Sequence, residues 1–173
     1  MSLSPNSLAF VALSNEYCAA LENVMQTDPR SFIADMARLL PRIYITASDL
    51  KPDASLEEEL PYIAGYLDED YYESVRSAIE NMLGPDDVYL EVFEEDMKYS
   101  DTPIRASISE GLCDIFQVLY NFISAVRDAP EQQINDALIA VREDFEAFWS
   151  QKVVNVMRPL NHIRFSMNDD ADI

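Results

Sequence analysis

Two carboxylates four residues apart, Glu110 and Asp114, are the side chains of this sequence best spaced for joint chemistry. On a helix that spacing puts them on one face, where they could share a divalent cation or present an acid and a base to one ligand. Ser107, Gln117, Asn121 and Ser124 extend the same face into a polar stripe within about 100° of arc. The stripe either meets water or lines an internal groove. A metal cluster inside a helical bundle ordinarily draws carboxylate and His ligands from other helices, and the chain has no Glu-x-x-His.

Other chemistries find little support. His162 is the sole histidine, and Cys18 and Cys113 are far apart in sequence, so neither a His-rich zinc site nor a Cys-x-x-Cys ribbon can form. Both cysteines lie in apolar helical patterns and read as buried thiols, although one bridge between them is compatible with the sequence. Phosphate-binding loops, dinucleotide fingerprints and Gly-x-Ser-x-Gly turns are absent. Trp149, Lys152, Arg158 and His162 form a mixed aromatic and basic segment. It reads either as core packing with cations near a helix C-terminus or as an anion-accepting patch. In an antiparallel pair of helices the patch would meet the stripe, giving an Arg158–Asp114 or Arg158–Glu110 contact.

The elements that must position these residues are helices. Ser4-Pro5, Asp28-Pro29 and Thr102-Pro103 each pair a capping residue with a first-turn proline. Ser55-x-x-Glu58 reads as a capping box, and Gly84-Pro85 as a helix stop. Apolar spacing predicts helices over about 5–27, from 29 through a kink or restart at Pro41, at 55–64, over 69–83, over 103–127, and from 130 to at least 158, with a kink or end at Pro159. The last is roughly 40 Å long and should lie antiparallel to its predecessor across a short connection. The helix over 103–127 is apolar around most of its girth and is expected at the centre. Residues 84–101 are read as a loop with a helical turn, because no second strand is evident to pair with Val88-Tyr89-Leu90 or Val92-Phe93. The expected architecture is all-α: a single-domain bundle of about five to seven helices over residues 1–165, with a long antiparallel C-terminal pair and an acidic frayed tail at 166–173.

Composition adds bounds. The chain has 173 residues, with 12 Lys and Arg against 32 Asp and Glu, a net charge of −20. Residues 53–101 hold 16 acids and 2 bases, a net of −14. That field repels nucleic-acid phosphates and attracts a basic protein or divalent cations. Three glycines are too few for phosphate-cradling loops or tight hairpins, since average usage would give about twelve. No secretory signal or run of ~20 apolar residues is present, so cytoplasmic residence is expected and a membrane span is not.

Asn15-Glu16-Tyr17-Cys18 with Glu22, Leu39-Leu40-Pro41 with Tyr44, Tyr89 with Val92-Phe93, Ser109-Glu110 with Asp114-Ile115-Phe116, and Phe148-Trp149 with Arg158 occur in this order. In them the chain resembles a bacterial family known only as a domain of unknown function. The resemblance spans nearly the whole chain and implies an all-helical single domain without an established activity. The family pattern often carries histidines flanking the tryptophan and an aspartate two residues after the Phe116 position. Phe148, Lys152 and Val118 stand there in this chain, so a His- or Asp-dependent role does not carry over.

The leading expectation is a non-enzymatic protein-interaction module using an acidic helical surface, with Tyr66, Tyr71 and Tyr72 among Asp68, Glu69 and Asp70 as exposed candidates. The alternative is a divalent-metal or small-ligand site on the Glu110/Asp114 stripe, capable of hydrolysis. A third is a phosphate mimic occupying a nucleic-acid-binding protein. The candidate polar site comprises Glu110, Asp114, Gln117, Asn121, Trp149 and Arg158. No cofactor is predicted beyond that cation, and the oligomeric state is not legible.

Overall fold

Short polar side chains start the helices. Ser4 accepts from the Ser7 amide at 3.0 Å and Asp28 from the Ser31 amide at 3.2 Å, each just ahead of a first-turn proline. These caps open α1 (Pro5–Glu22) and α2 (Pro29–Ser48), joined by a 3-10 turn at Val24–Gln26. Asp68 caps α3 (Glu69–Leu83), which stops at Gly84, whose φ of +57° suits a residue without a Cβ. Helix α4 spans Ile108–Val126, α5 Glu131–Asp144 and α6 Ser150–Asp169. The structure, a computed structural model, describes residues 3–55, 58–91, 98–99 and 101–169.

The bundle is the all-α architecture that the periodicity calls for, with α4 at its centre against α1, α3, α5 and α6. Ile108, Leu112, Ile115, Phe116, Leu119 and Phe122 of α4 are completely buried. Phe10 of α1 packs on Phe122 at 5.1 Å between ring centroids and on Trp149 at 6.3 Å. Pro41 and Pro159 both lie inside continuous helices, so neither ends its helix as the pattern at Pro159 suggested. A π-helical turn, Phe145–Trp149, joins α5 to α6. It lets the Trp149 indole fold back and donate from Nε1 to the Val141 carbonyl at 3.0 Å, while its ring stacks edge-on against Phe145 at 4.6 Å. Trp149 is therefore a fully buried core residue. Among the described residues no helix is long and apolar enough to cross a membrane.

Two predicted elements differ. The capping box at Ser55 starts no helix: Asp53 accepts from the Ser55 amide and hydroxyl in a local turn, and residues 58–66 are irregular. The second difference is a β-hairpin. Strand β1 (Val88–Glu91) pairs antiparallel with β2 (Ile104–Ser107), Val88 opposite Ser107 and Glu91 opposite Ile104. The second strand lies in what the Thr102-Pro103 pair suggested was the first turn of α4. The true N-cap is Ser107, whose Oγ accepts from the Glu110 amide at 3.0 Å. The hairpin register then carries buried Asp87 to the same helix end, where its carboxylate accepts from the Ser109 amide and hydroxyl, both at 2.7 Å. A doubly capped N-terminus at Ser107 outcompetes a helix start at Pro103. Val92-Phe93 and residues 170–173 lie outside the described residues.

Helices α4 and α6 pack tightly at Gly111, where a Cβ would collide with Cγ1 of Val156. Gly111→Ala should therefore cost ~1–3 kcal/mol in overpacking, against a helix-propensity gain of at most ~1 kcal/mol. Urea midpoints check this: the variant should unfold at lower urea, and adding Val156→Ala should remove the penalty of the Gly111 substitution.

Candidate functional site

Only part of the α4 stripe meets water. Glu110 and Gln117 are exposed, whereas Asp114 and Asn121 are half-buried beneath neighbouring elements. Asp114 Oδ1 accepts from the Tyr72 hydroxyl of α3 at 2.7 Å, and Oδ2 faces Lys152 Nζ of α6 at 3.1 Å. One carboxylate thus fastens two helices to α4. The expected Arg158 pairing with Asp114 or Glu110 does not form. Lys152 lies six residues earlier, roughly 9 Å along α6, and reaches Asp114 first. The same ammonium stands 5.5 Å over the Phe148 ring. Among the described residues no group of three or more His, Cys, Asp or Glu is placed to hold a metal ion. His162 is exposed on α6.

Tyr71 and Tyr72, expected as exposed binding aromatics, are instead half-buried clasps. The Tyr71 hydroxyl donates to Glu22 Oε2 at 2.8 Å, and its ring packs edge-on against Phe116 and Tyr120, both at 6.1 Å. Burial first, and then the Glu22 carboxylate, push the Tyr71 hydroxyl up to about 12. Burial and Asp114 raise Tyr72 further. Tyr17 is completely buried, donates to the Leu112 carbonyl at 2.6 Å, and is raised mainly by burial. Cys18 and Cys113 are buried and unbridged. Burial, helped by Glu22 for the first and Asp114 for the second, holds both thiols up at about 12, which leaves them protonated and unreactive.

A strap of chain from Lys51 to Asp68 crosses this side of the bundle without regular structure among its described residues. Two asparagines pin it. Asn135 of α5 accepts from the Asp53 amide at 3.1 Å and donates to the Asp53 carbonyl at 2.8 Å. Asn121 Oδ1 accepts from the Tyr66 and Leu67 amides, each at 2.8 Å. Between these points Ile63 packs against the core, as does Leu67 beside the second pin, while Leu60, Tyr62 and Tyr66 are 69%, 87% and 52% exposed. Exposed Glu58, Glu59, Asp68, Glu69 and Asp70 flank them. Sequence reasoning missed Asn135. Its signal was an asparagine in a helix interior, where its propensity is poor and a tertiary hydrogen bond is the usual compensation.

The hairpin creates a second feature. Between β1 and α6 runs an open groove of about 570 Å³ whose wall includes Tyr89, Leu90, Val154 and Arg158. A smaller recess of about 190 Å³ adjoins it and is lined by Arg105, Glu110 and Lys152, among others. Arg158 and Glu110, kept apart from one another, thus flank neighbouring hollows.

Fold and site define a small helical bundle with a pinned acidic strap on one side and a hairpin-walled groove. Residues 1–166 match the model of a domain of unknown function, DUF5063, and the chain belongs to that family. It is similar to the crystal structure of protein BF1032 from Bacteroides fragilis, a structural genomics target, with 30% identity and a TM-score of 0.78 over 93% of each chain. No curated protein matches it.

Asn121→Ala should free the Tyr66 and Leu67 amides, speed their hydrogen exchange, and cost ~1–3 kcal/mol through lost bonds. Alkaline pH should also destabilise the fold. An acid whose folded pKa exceeds its unfolded value stabilises fully below the unfolded pKa, and that stabilisation fades as pH rises toward the folded pKa. Unfolded Cys and Tyr titrate near 9.0 and 10.0. Urea midpoints should hold steady to about pH 8.5 and then decline toward pH 12, and a constant midpoint over that range would contradict the buried placement of these groups.

Proposed function

We propose that the protein is a non-enzymatic interaction module that presents its strap, with the adjoining start of α3, to a basic protein surface. The observation that carries this reading is the exposure of Leu60, Tyr62 and Tyr66 on backbone held by Asn121 and Asn135, with carboxylates around them. Exposed aromatics on pre-ordered backbone cost little further entropy on binding and are the residue type that most often anchors interfaces. The surrounding acids favour a cationic partner and speed encounter with it. The net −14 of residues 53–101 disfavours nucleic acid by the same argument. Buried, unbridged thiols suit a reducing compartment, in keeping with cytoplasmic residence.

The immobilised chain, Tyr62→Ala/Tyr66→Ala and Glu58→Lys/Glu59→Lys should be compared for capture from the native lysate at low salt and at about 0.5 M salt, where exposed charges are screened beyond a few Å. A basic protein held by the wild type at low salt should be lost from both double variants and weakened by salt. Identical capture by all three chains would sink the proposal. All four substituted side chains are exposed, so the variants should melt like the wild type.

A further inference from the structure

The groove between β1 and α6 holds a cation, Arg158. Some of the chain's basic side chains are committed to carboxylates. Arg76 bridges Glu73 and Glu80, Arg142 meets Glu146, and Lys152 meets Asp114. Arg158 lines the groove with no hydrogen bond or ion pair among the described residues. Gln151 and Asn155 are likewise without a side-chain hydrogen bond there and also line it. Positions 151, 155 and 158 fall on one face of α6, so two amides and a guanidinium point along a single wall. Leu90, Val154 and Pro159 supply the apolar part of the lining, and Tyr89 and Glu91 complete it.

We propose that this groove binds a small organic monoanion with an apolar body, in chemical class a medium-chain carboxylate, whose charged end is taken by Arg158. The size fits: about 570 Å³ lies within the ~300–1,000 Å³ usual for small-molecule sites. The polarity fits too, since few polar groups stand beside an apolar wall. A planar guanidinium can grip a carboxylate through two parallel N–H···O bonds. The position of the charge follows from Glu91, which is only 7% exposed and lines both the groove and the smaller recess, whereas Arg158 lines the groove alone. The ligand's anion therefore belongs at the Arg158 end, with its apolar body along Val154 and Leu90. One free guanidinium, a neighbouring carboxylate and a chain charge of −20 select a single negative charge over a polyphosphate. This site lies apart from the strap and goes beyond the interaction proposed for it.

Calorimetric titration of the full chain with octanoate and with neutral octanamide tests the assignment. Octanoate should bind the wild type at least about tenfold more tightly than octanamide, and Arg158→Gln should remove that preference. Val154→Asp, at a side chain 52% exposed and thus safe for folding, should weaken octanoate by at least about tenfold by placing a charge on the apolar wall. Arg38→Gln, in a separate recess between α1 and α2, should change nothing. Equal affinity for the two probes, wild-type affinity in Arg158→Gln, or no binding by about 10 mM octanoate would each overturn the proposal. The strap variants should bind octanoate normally, so failure here is separable from failure of the partner reading.

Discussion

Helix α4 gives up water along nearly its whole length, and the polar groups it takes out of water that its own backbone does not meet must be met by another element. That constraint organises the molecule. At the helix start, Asp87 meets the Ser109 amide and hydroxyl. One turn on, Tyr17 of α1 meets the Leu112 carbonyl. Asp114 draws in Tyr72 from α3 and Lys152 from α6, and Asn121 holds the strap. Among the described residues no buried side-chain polar atom lacks a partner. Apolar burial supplies most of the driving force, while these bonds decide which neighbour sits where.

The same constraint separates structural carboxylates from available ones. Asp87 and Asp114 are engaged in holding elements together. Glu58, Glu59, Asp68, Glu69 and Asp70 stay at the surface, where they shape the field without anchoring the core. The −20 charge of the chain is thus compatible with partners for every buried side-chain polar atom among the described residues. Repulsion among the acids is left at the surface, which water and salt screen. The cations divide in the same way: Lys152 is committed to the bundle, and Arg158, a turn and a half further along α6, is left facing a groove.

How much was legible depended on the range of the interaction. Periodicity and caps located α1, α2 and α3, the stop at Gly84, and the central place of α4, because these follow from contacts within a few residues. Pairing β1 with β2 required two four-residue strands separated by twelve residues, and no local signal marks Ile104–Ser107 as a strand. The capping box at Ser55 was a local signal overruled when Asn135 took the Asp53 backbone. For the polar stripe, one-dimensional spacing correctly put Glu110, Asp114, Gln117 and Asn121 on one face. It could not tell that Tyr72 and Lys152 would claim Asp114 ahead of Arg158, since that depends on how far along α6 the helices cross.

By itself, then, the chain's pattern of apolar residues, prolines and capping side chains determined a helical bundle with its excess negative charge between residues 53 and 101. It also excluded a phosphate loop and a histidine-based metal centre, because the residues they need are not in the chain. Only the tertiary structure decided which polar residues became fasteners and which stayed available. Packing brings together side chains as far apart as Tyr17 and Leu112, or Tyr66 and Asn121, and their partners are set by distances in space that sequence spacing does not encode.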